Sequence, residues 1–173
     1  MCKRALNTIC PPGWNSFSGN CYWFVSNPNL LTTWYEAQRK CFNLGALLLT
    51  IKSEQEQFYI NGFLPDLQQV EVPDIWIGLS DKETDGTFQW EDKKPVTFQN
   101  WAPSHPHNTA NMWDCGQIYT GDVEGKWETT SCFRNLGYVC KMAGGHNIRP
   151  TSAPGRVVSV DNENDSNNKV LYR

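Results

Sequence analysis

At 173 residues the chain has the length of one domain with some linker. Its 39% apolar and 13% aromatic residues exclude a globally disordered chain. The formal charge is a mild -3, and Lys and Arg never run longer than a pair, so no nucleic acid partner is expected.

Taken in chain order, residues 1–9 read as a leader, and Met1-Cys2-Lys3-Arg4 lacks the apolar run of a signal peptide. Pro11-Pro12-Gly13 then turns the chain into a strand expected at residues 21–25. A helix follows. Thr33 and Glu36 have capping-box spacing, Trp34, Ala37 and Cys41 share one face, and Gly45 suits a C-terminal cap. Ser53 and Glu56 repeat that signature ahead of a second helix over residues 57–64.

From Trp76 the period changes. Trp76-Ile77-Gly78-Leu79 is a short apolar run, Thr84-Asp85-Gly86-Thr87 a turn, and residues 87–90 alternate as a strand. Residues 99–114 hold two prolines and six amide or imidazole side chains, which predicts a long irregular loop of the kind that carries function. Closing strands are expected at 117–119, 126–127 and 137–141. After Met142 the composition shifts to Gly, Pro, Ser and Asn, so residues 143–173 read as a linker or the start of a next module, with a glycosylation sequon at Asn164. The longest apolar stretch, around residues 46–51, is far short of the roughly 18 residues of a membrane span.

Seven cysteines, none in a Cys-x-x-Cys pair, predict an oxidising, extracellular or cell-surface compartment and a fragment of a larger secreted or surface protein. Spacing alone leaves their pairing open.

Cys10-Pro11-Pro12-Gly13-Trp14, Cys21-Tyr22, Trp76-Ile77-Gly78-Leu79, Phe88-Gln89-Trp90, Asn100-Trp101, Cys115, Gly125-Lys126-Trp127, Cys132 and Gly137-Tyr138-Val139-Cys140 resemble the C-type lectin-like domain family in order and spacing. The match covers residues 10–142. It implies an α+β fold with two helices packed on small antiparallel sheets, a long ligand loop, and the pairings Cys10–Cys21, Cys41–Cys140 and Cys115–Cys132. Trp76, Trp90, Trp101 and Trp127 fall at the family's core positions. Cys2 is left over. Because Cys2-Lys3-Arg4 echoes Cys140-Lys141-Met142, it reads either as the last cysteine of a preceding copy, as in a tandem receptor of the mannose-receptor kind, or as a free or intermolecular thiol.

In sugar-binding members of the family, calcium is held by a Glu-Pro-Asn or Gln-Pro-Asp triplet, a Glu before the fourth domain cysteine, and an Asn-Asp pair after the strand tryptophan. This sequence has His105-Pro106-His107, Trp113 and Glu128-Thr129 at those places. Imidazoles are poor ligands for a hard cation, and only Glu128 keeps a carboxylate, so the calcium-dependent sugar site is expected to be absent. A second, structural calcium position matches Asp81, Asp85, Asn108 and Asp114; no cofactor is required, but a weak site there is compatible with the residues.

His105, His107, Asn108, Trp113, Glu128 and Thr129 are therefore the candidate ligand-binding residues of the loop face. His105 and His107 with Asp114 have zinc-capable chemistry, although exposed loop histidines are the simpler expectation. Trp113 either packs against the loop or stands out as a contact anchor. Catalysis is not expected: there is no Gly-x-Ser-x-Gly elbow, no phosphate loop and no free thiol in the domain body. The expected function is calcium-independent recognition of an extracellular protein ligand. The alternatives are a lectin with a non-standard glycan site, and a structural spacer in a tandem array.

Overall fold

The computed structural model describes residues 8–107 and 112–146; Cys2, Asn108 and Asn164 lie outside them. Strands are β1 (Thr8–Ile9), β2 (Asn15–Phe17), β3 (Asn20–Val25), β4 (Leu47–Leu48), β5 (Asp74–Ser80), β6 (Gln89–Trp90), β7 (Cys115–Tyr119), β8 (Trp127–Thr130), β9 (Gly137–Ala143) and β10 (Gly145–His146). The helices are α1 (Trp34–Asn43), α2 (Glu54–Asn61) and α3 (Leu64–Gln69). The main sheet runs β2-β3-β9-β5-β7-β8, with β4 added on β9 and β6 on β5. Every pairing is antiparallel except β5 with β9.

Strand alternation divides the core in two. Along β5, Ile75, Ile77 and Leu79 enter one cluster, where α2 and α3 contribute Ile60, Leu64 and Leu67. Trp76 enters the other, where α1 contributes Trp34, Ala37 and Cys41 at helical spacing. Two buried indoles are satisfied at a distance in sequence: Trp34 Nε1 donates to Ile77 O at 2.9 Å and Trp76 Nε1 to Thr32 O at 2.7 Å. Gly78 is required by close approach. Its N–H donates to Leu49 O at 2.7 Å, and a Cβ there would lie 2.9 Å from Leu48 O.

Both predicted N-caps form. Thr33 Oγ1 accepts the Glu36 N–H at 3.4 Å and Ser53 Oγ accepts the Glu56 N–H at 3.2 Å. Gly45 follows α1 with φ +72°. The second helix differs from its expected span of 57–64. It ends at Asn61, and a separate helix begins at Leu64 with Pro65 in its first turn, where the missing N–H is harmless. The three disulfides pair as the resemblance implied: Cys10–Cys21, Cys41–Cys140 and Cys115–Cys132.

Paired backbone lies on both sides of residues 10–142: Thr8 and Ile9 pair with His146 and Gly145 as a two-stranded antiparallel clasp. Likewise β9 continues through Ala143, so paired backbone extends past residue 142. Strands of two residues carry no readable period, which is why the sequence did not announce them.

Candidate ligand-recognition site

The long loop between β6 and β7 is fastened to the edge strand β8. Trp127 N–H donates to Asn100 O and Ala102 N–H to Trp127 O, each at 2.8 Å. Asn100 Nδ2 donates to Glu124 O and Gly125 O at 3.1 and 3.0 Å, drawing the β7–β8 connection onto the loop. Beneath this seam Trp127, fully buried, receives the rings of Trp90, Phe98 and Trp101 at 5.3, 5.8 and 5.7 Å, all near perpendicular. Its Nε1 donates to Gln57 Oε1 at 2.7 Å. The Cys115–Cys132 bond closes the base of the same region.

On that platform the candidate residues gather. His105 Nδ1 accepts the backbone N–H of Thr129 at 3.0 Å and lies 3.1 Å from its hydroxyl. His107 N–H donates to Thr129 Oγ1 at 2.9 Å, and that hydroxyl lies 3.3 Å from His107 O. The rings continue outward: His105 to His107 at 4.7 Å, then His107 to Trp113 at 5.4 Å and 82°. Trp113 remains 39% exposed and its neighbour Met112 66%. Trp113 thus packs edge-on against a histidine while still presenting surface.

Thr129 is 4% exposed, and its hydroxyl is hydrogen-bonded to the loop, which it holds down. Glu128 is half-buried and accepts Gln117 Nε2 at 3.1 Å. Gln117 in turn belongs to a network with Arg134 and Asp74, in which Arg134 Nη2 meets Asp74 Oδ2 at 2.9 Å. Sequence reasoning missed Gln117, Asp74 and Arg134, because nothing local links positions so far apart.

The His105–Thr129 bond has a pH consequence. A backbone N–H can only donate, so Nδ1 must be unprotonated and the neutral ring carries its proton on Nε2. Burial pushes the His105 pKa below its usual value; nearby Glu128 opposes that shift and His107 adds to it. The unfolded chain therefore binds the proton more readily. Stability from this bond is full above about pH 6.5 and is lost as pH falls from there through the lower folded value. The melting temperature of the native protein should fall more between about pH 7 and pH 5 than that of His105→Gln. Parallel curves for the two proteins would show that His105 does not titrate with this bond.

The acidic residues lie on a neighbouring turn. Asp81 N–H donates to Asp114 O at 3.1 Å, and Asp81 Oδ2 accepts the Gly86 N–H at 3.0 Å. Asp81 is 3% exposed, and its Oδ1 is buried without a hydrogen-bond partner. Burial, then the charges of Asp81 and Asp85, push the Asp114 carboxyl upward. Among the described residues, however, no three His, Cys, Asp or Glu side chains are gathered closely enough to hold an ion by themselves. That applies equally to the zinc-capable set of His105, His107 and Asp114.

The scaffold is α+β, stapled by three disulfides, and pins a long loop across one end. The chain belongs to the C-type lectin domain family, whose model matches residues 31–142. It is 35% identical over 158 residues to C-type mannose receptor 2 of Mus musculus, covering 90% of this chain and 10% of that protein. The chain thus spans about a tenth of that receptor's length. It is 31% identical to lectin BRA-3 of Megabalanus rosa, covering 77% of this chain and 78% of that protein. Among solved structures, the cow CD23 carbohydrate-recognition domain, determined in the presence of GlcNAc2Man3 oligosaccharide, aligns with a TM-score of 0.67 at 29% identity, covering 79% of this chain and 98% of that one. A calcium-independent type II antifreeze protein aligns with a TM-score of 0.68 at 26% identity, covering 80% and 97%. No helix among the described residues is long and apolar enough to cross a membrane.

Proposed function

We propose that the chain is an extracellular binding module, not an enzyme, that recognises a protein ligand through the loop end without needing calcium. One observation carries this reading. His105-Pro106-His107 is hydrogen-bonded to Thr129, with Trp113 edge-on to His107 and part of its indole open to solvent. A rigid aromatic held on a cross-linked platform is the kind of anchor that dominates protein interfaces. The partial alignment with a mannose receptor supports placement as one module of a surface receptor.

Two measurements test it. The domain should not be retained on mannose or galactose resin in a calcium-dependent way; elution by chelator from either resin would overturn the calcium-independent reading. Calcium itself should add only a small thermal shift at low millimolar concentration, through Asp81, Asp85 and Asp114, since weak binding to the native state stabilises little. Asp81→Asn should remove that shift.

With a ligand identified by an extracellular binding screen, Trp113→Ala should weaken affinity at least roughly tenfold and leave the melting temperature nearly unchanged. A large loss of stability would show instead that Trp113 is structural. The second reading is glycan binding, in which the open part of the same indole stacks on a sugar face. Binding on a glycan array that survives chelator and is lost in Trp113→Ala would favour it.

A further inference from the structure

Charge at the loop end is one-sided. Between Lys94 and Arg134 the only basic residue is Lys126, against Asp114, Asp122, Glu124 and Glu128. Lys126 is engaged already, its Nζ donating to Asn100 Oδ1 at 3.0 Å and lying 3.4 Å from Glu124. Asp122 is occupied too, since its carboxylate accepts the N–H groups of Glu124 and Lys126 at 2.9 and 3.0 Å. The neighbouring cations are held elsewhere: Arg134 pairs with Asp74 at 2.9 Å, and Lys82 lies over the rings of Trp34 and Tyr35. Among the described residues, no ion pair reaches Asp114 or Glu128. Glu128 Oε2 accepts one amide N–H, from Gln117, which leaves Oε1. Asp81, whose N–H donates to Asp114 O, is 3% exposed and holds an oxygen, Oδ1, without a hydrogen-bond partner. Burial and then the charges of Asp81 and Asp85 keep the Asp114 carboxyl above its usual range, as expected of negative charge that no cation offsets.

These groups flank the aromatic path. Asp114 follows Trp113 in the chain, and Glu128 lies close enough to His105 for its charge to act on the imidazole. From Trp113 to His107 and on to His105 the ring centroids step 5.4 and 4.7 Å, a reach that about three residues of extended chain cover at ~3.3 Å each. Carboxylates set apart in this way do not enclose a metal ion, but they match two cationic side chains on one strand of a partner. An arginine fits the Trp113 end best: its planar guanidinium stacks on an indole face and meets a carboxylate through paired N–H groups. We infer that the loop end recognises a basic segment of a partner protein, with an arginine laid on the open part of the Trp113 indole against Asp114 and a second cation about three residues along meeting Glu128 Oε1. This rests on the loop end being the protein-binding face and adds the chemistry of what it binds.

The test uses the isotope-labelled chain at about pH 7.5, where ordinary imidazoles are neutral, with chelator present. The probe is a capped synthetic peptide, Arg-Ala-Ala-Arg, followed by NMR. Saturable shifts are expected at the Trp113 indole N–H and at the Asp114 and Glu128 amides. Affinity should fall at least roughly tenfold in Trp113→Ala, and about threefold in each of Asp114→Asn and Glu128→Gln, which keep the side-chain shape and lose the charge. The peptide Glu-Ala-Ala-Glu should give no shifts. The inference is overturned if the arginine peptide does not bind, if the double variant Asp114→Asn with Glu128→Gln binds it as well as the native chain, or if its shifts fall only outside residues 103–107, 112–114 and 126–130. Spermidine binding as tightly as the peptide would overturn it as well, because a protein segment would then not be what the surface selects. A protein ligand that loses affinity in Trp113→Ala but not in the double charge variant would overturn the basic-segment inference alone and leave the loop-end reading standing.

Discussion

Replacing Cys41 and Cys140 together by Ala should cost about 4–5 kcal/mol, the largest loss expected from any one covalent link in the domain. The bond spans 99 positions, against 17 for Cys115–Cys132 and 11 for Cys10–Cys21. By the chain-entropy relation the shorter loops contribute roughly 3 kcal/mol each. Cys41 and Cys140 are also fully buried between α1 and β9, so their removal leaves a small cavity as well. Against a total stability of about 5–15 kcal/mol for an ordinary domain, the loss removes a large share. Urea denaturation of the three double-alanine variants measures it. Equal midpoints for all three would show that unfolded-chain entropy does not govern these links.

A loss of about 3–5 kcal/mol is expected from Glu56→Leu. Glu56 is 5% exposed. Its Oε1 accepts the Tyr22 hydroxyl at 2.5 Å and pairs with the Lys141 ammonium, while Oε2 accepts the Lys52 N–H at 2.8 Å. Lys141 Nζ also donates to Thr50 O at 2.8 Å, so this cation is fixed under the first core cluster. Removing the carboxylate strands a nearly buried ammonium and a buried phenol together. Burial, with the carboxylate beside it, already holds the Tyr22 hydroxyl far from ionising. Lys141→Met added to Glu56→Leu should recover much of the loss, because it is the unpaired charge that is costly. A loss under about 1 kcal/mol for Glu56→Leu would mean that water reaches and solvates the pair.

Glu56 also marks the limit of what could be read in advance. Its spacing from Ser53 announced the helix start, and the Ser53 half of the cap forms as expected. Its carboxylate, however, turns to Lys52, Tyr22 and Lys141, partners as far as 85 positions away that no local pattern reveals. The same division holds elsewhere. Trp76-Ile77-Gly78-Leu79 declared a buried strand because apolar runs are local, and the disulfide framework followed from family resemblance. The β1–β10 clasp escaped because two-residue strands have no period. At the loop end, His105, His107 and Trp113 were legible as departures from a ligand set. Thr129 was legible by position only, since its task of holding the loop depends on the approach of residues 22 and 24 positions apart.

The clasp and the cross-links together decide how the domain responds to tension. Thr8 pairs with His146 and Ile9 with Gly145, so a pull applied through the two ends peels this pair open one bond at a time. Force then passes from Cys10 across its bond to Cys21, along the chain to Cys41, and through the second bond to Cys140. Everything between Cys41 and Cys140 lies on a covalent side loop that carries no load. Only the segment between Cys21 and Cys41 and a few end residues can be drawn out. The long loop, Trp113 and β8 therefore lie off the path along which tension travels.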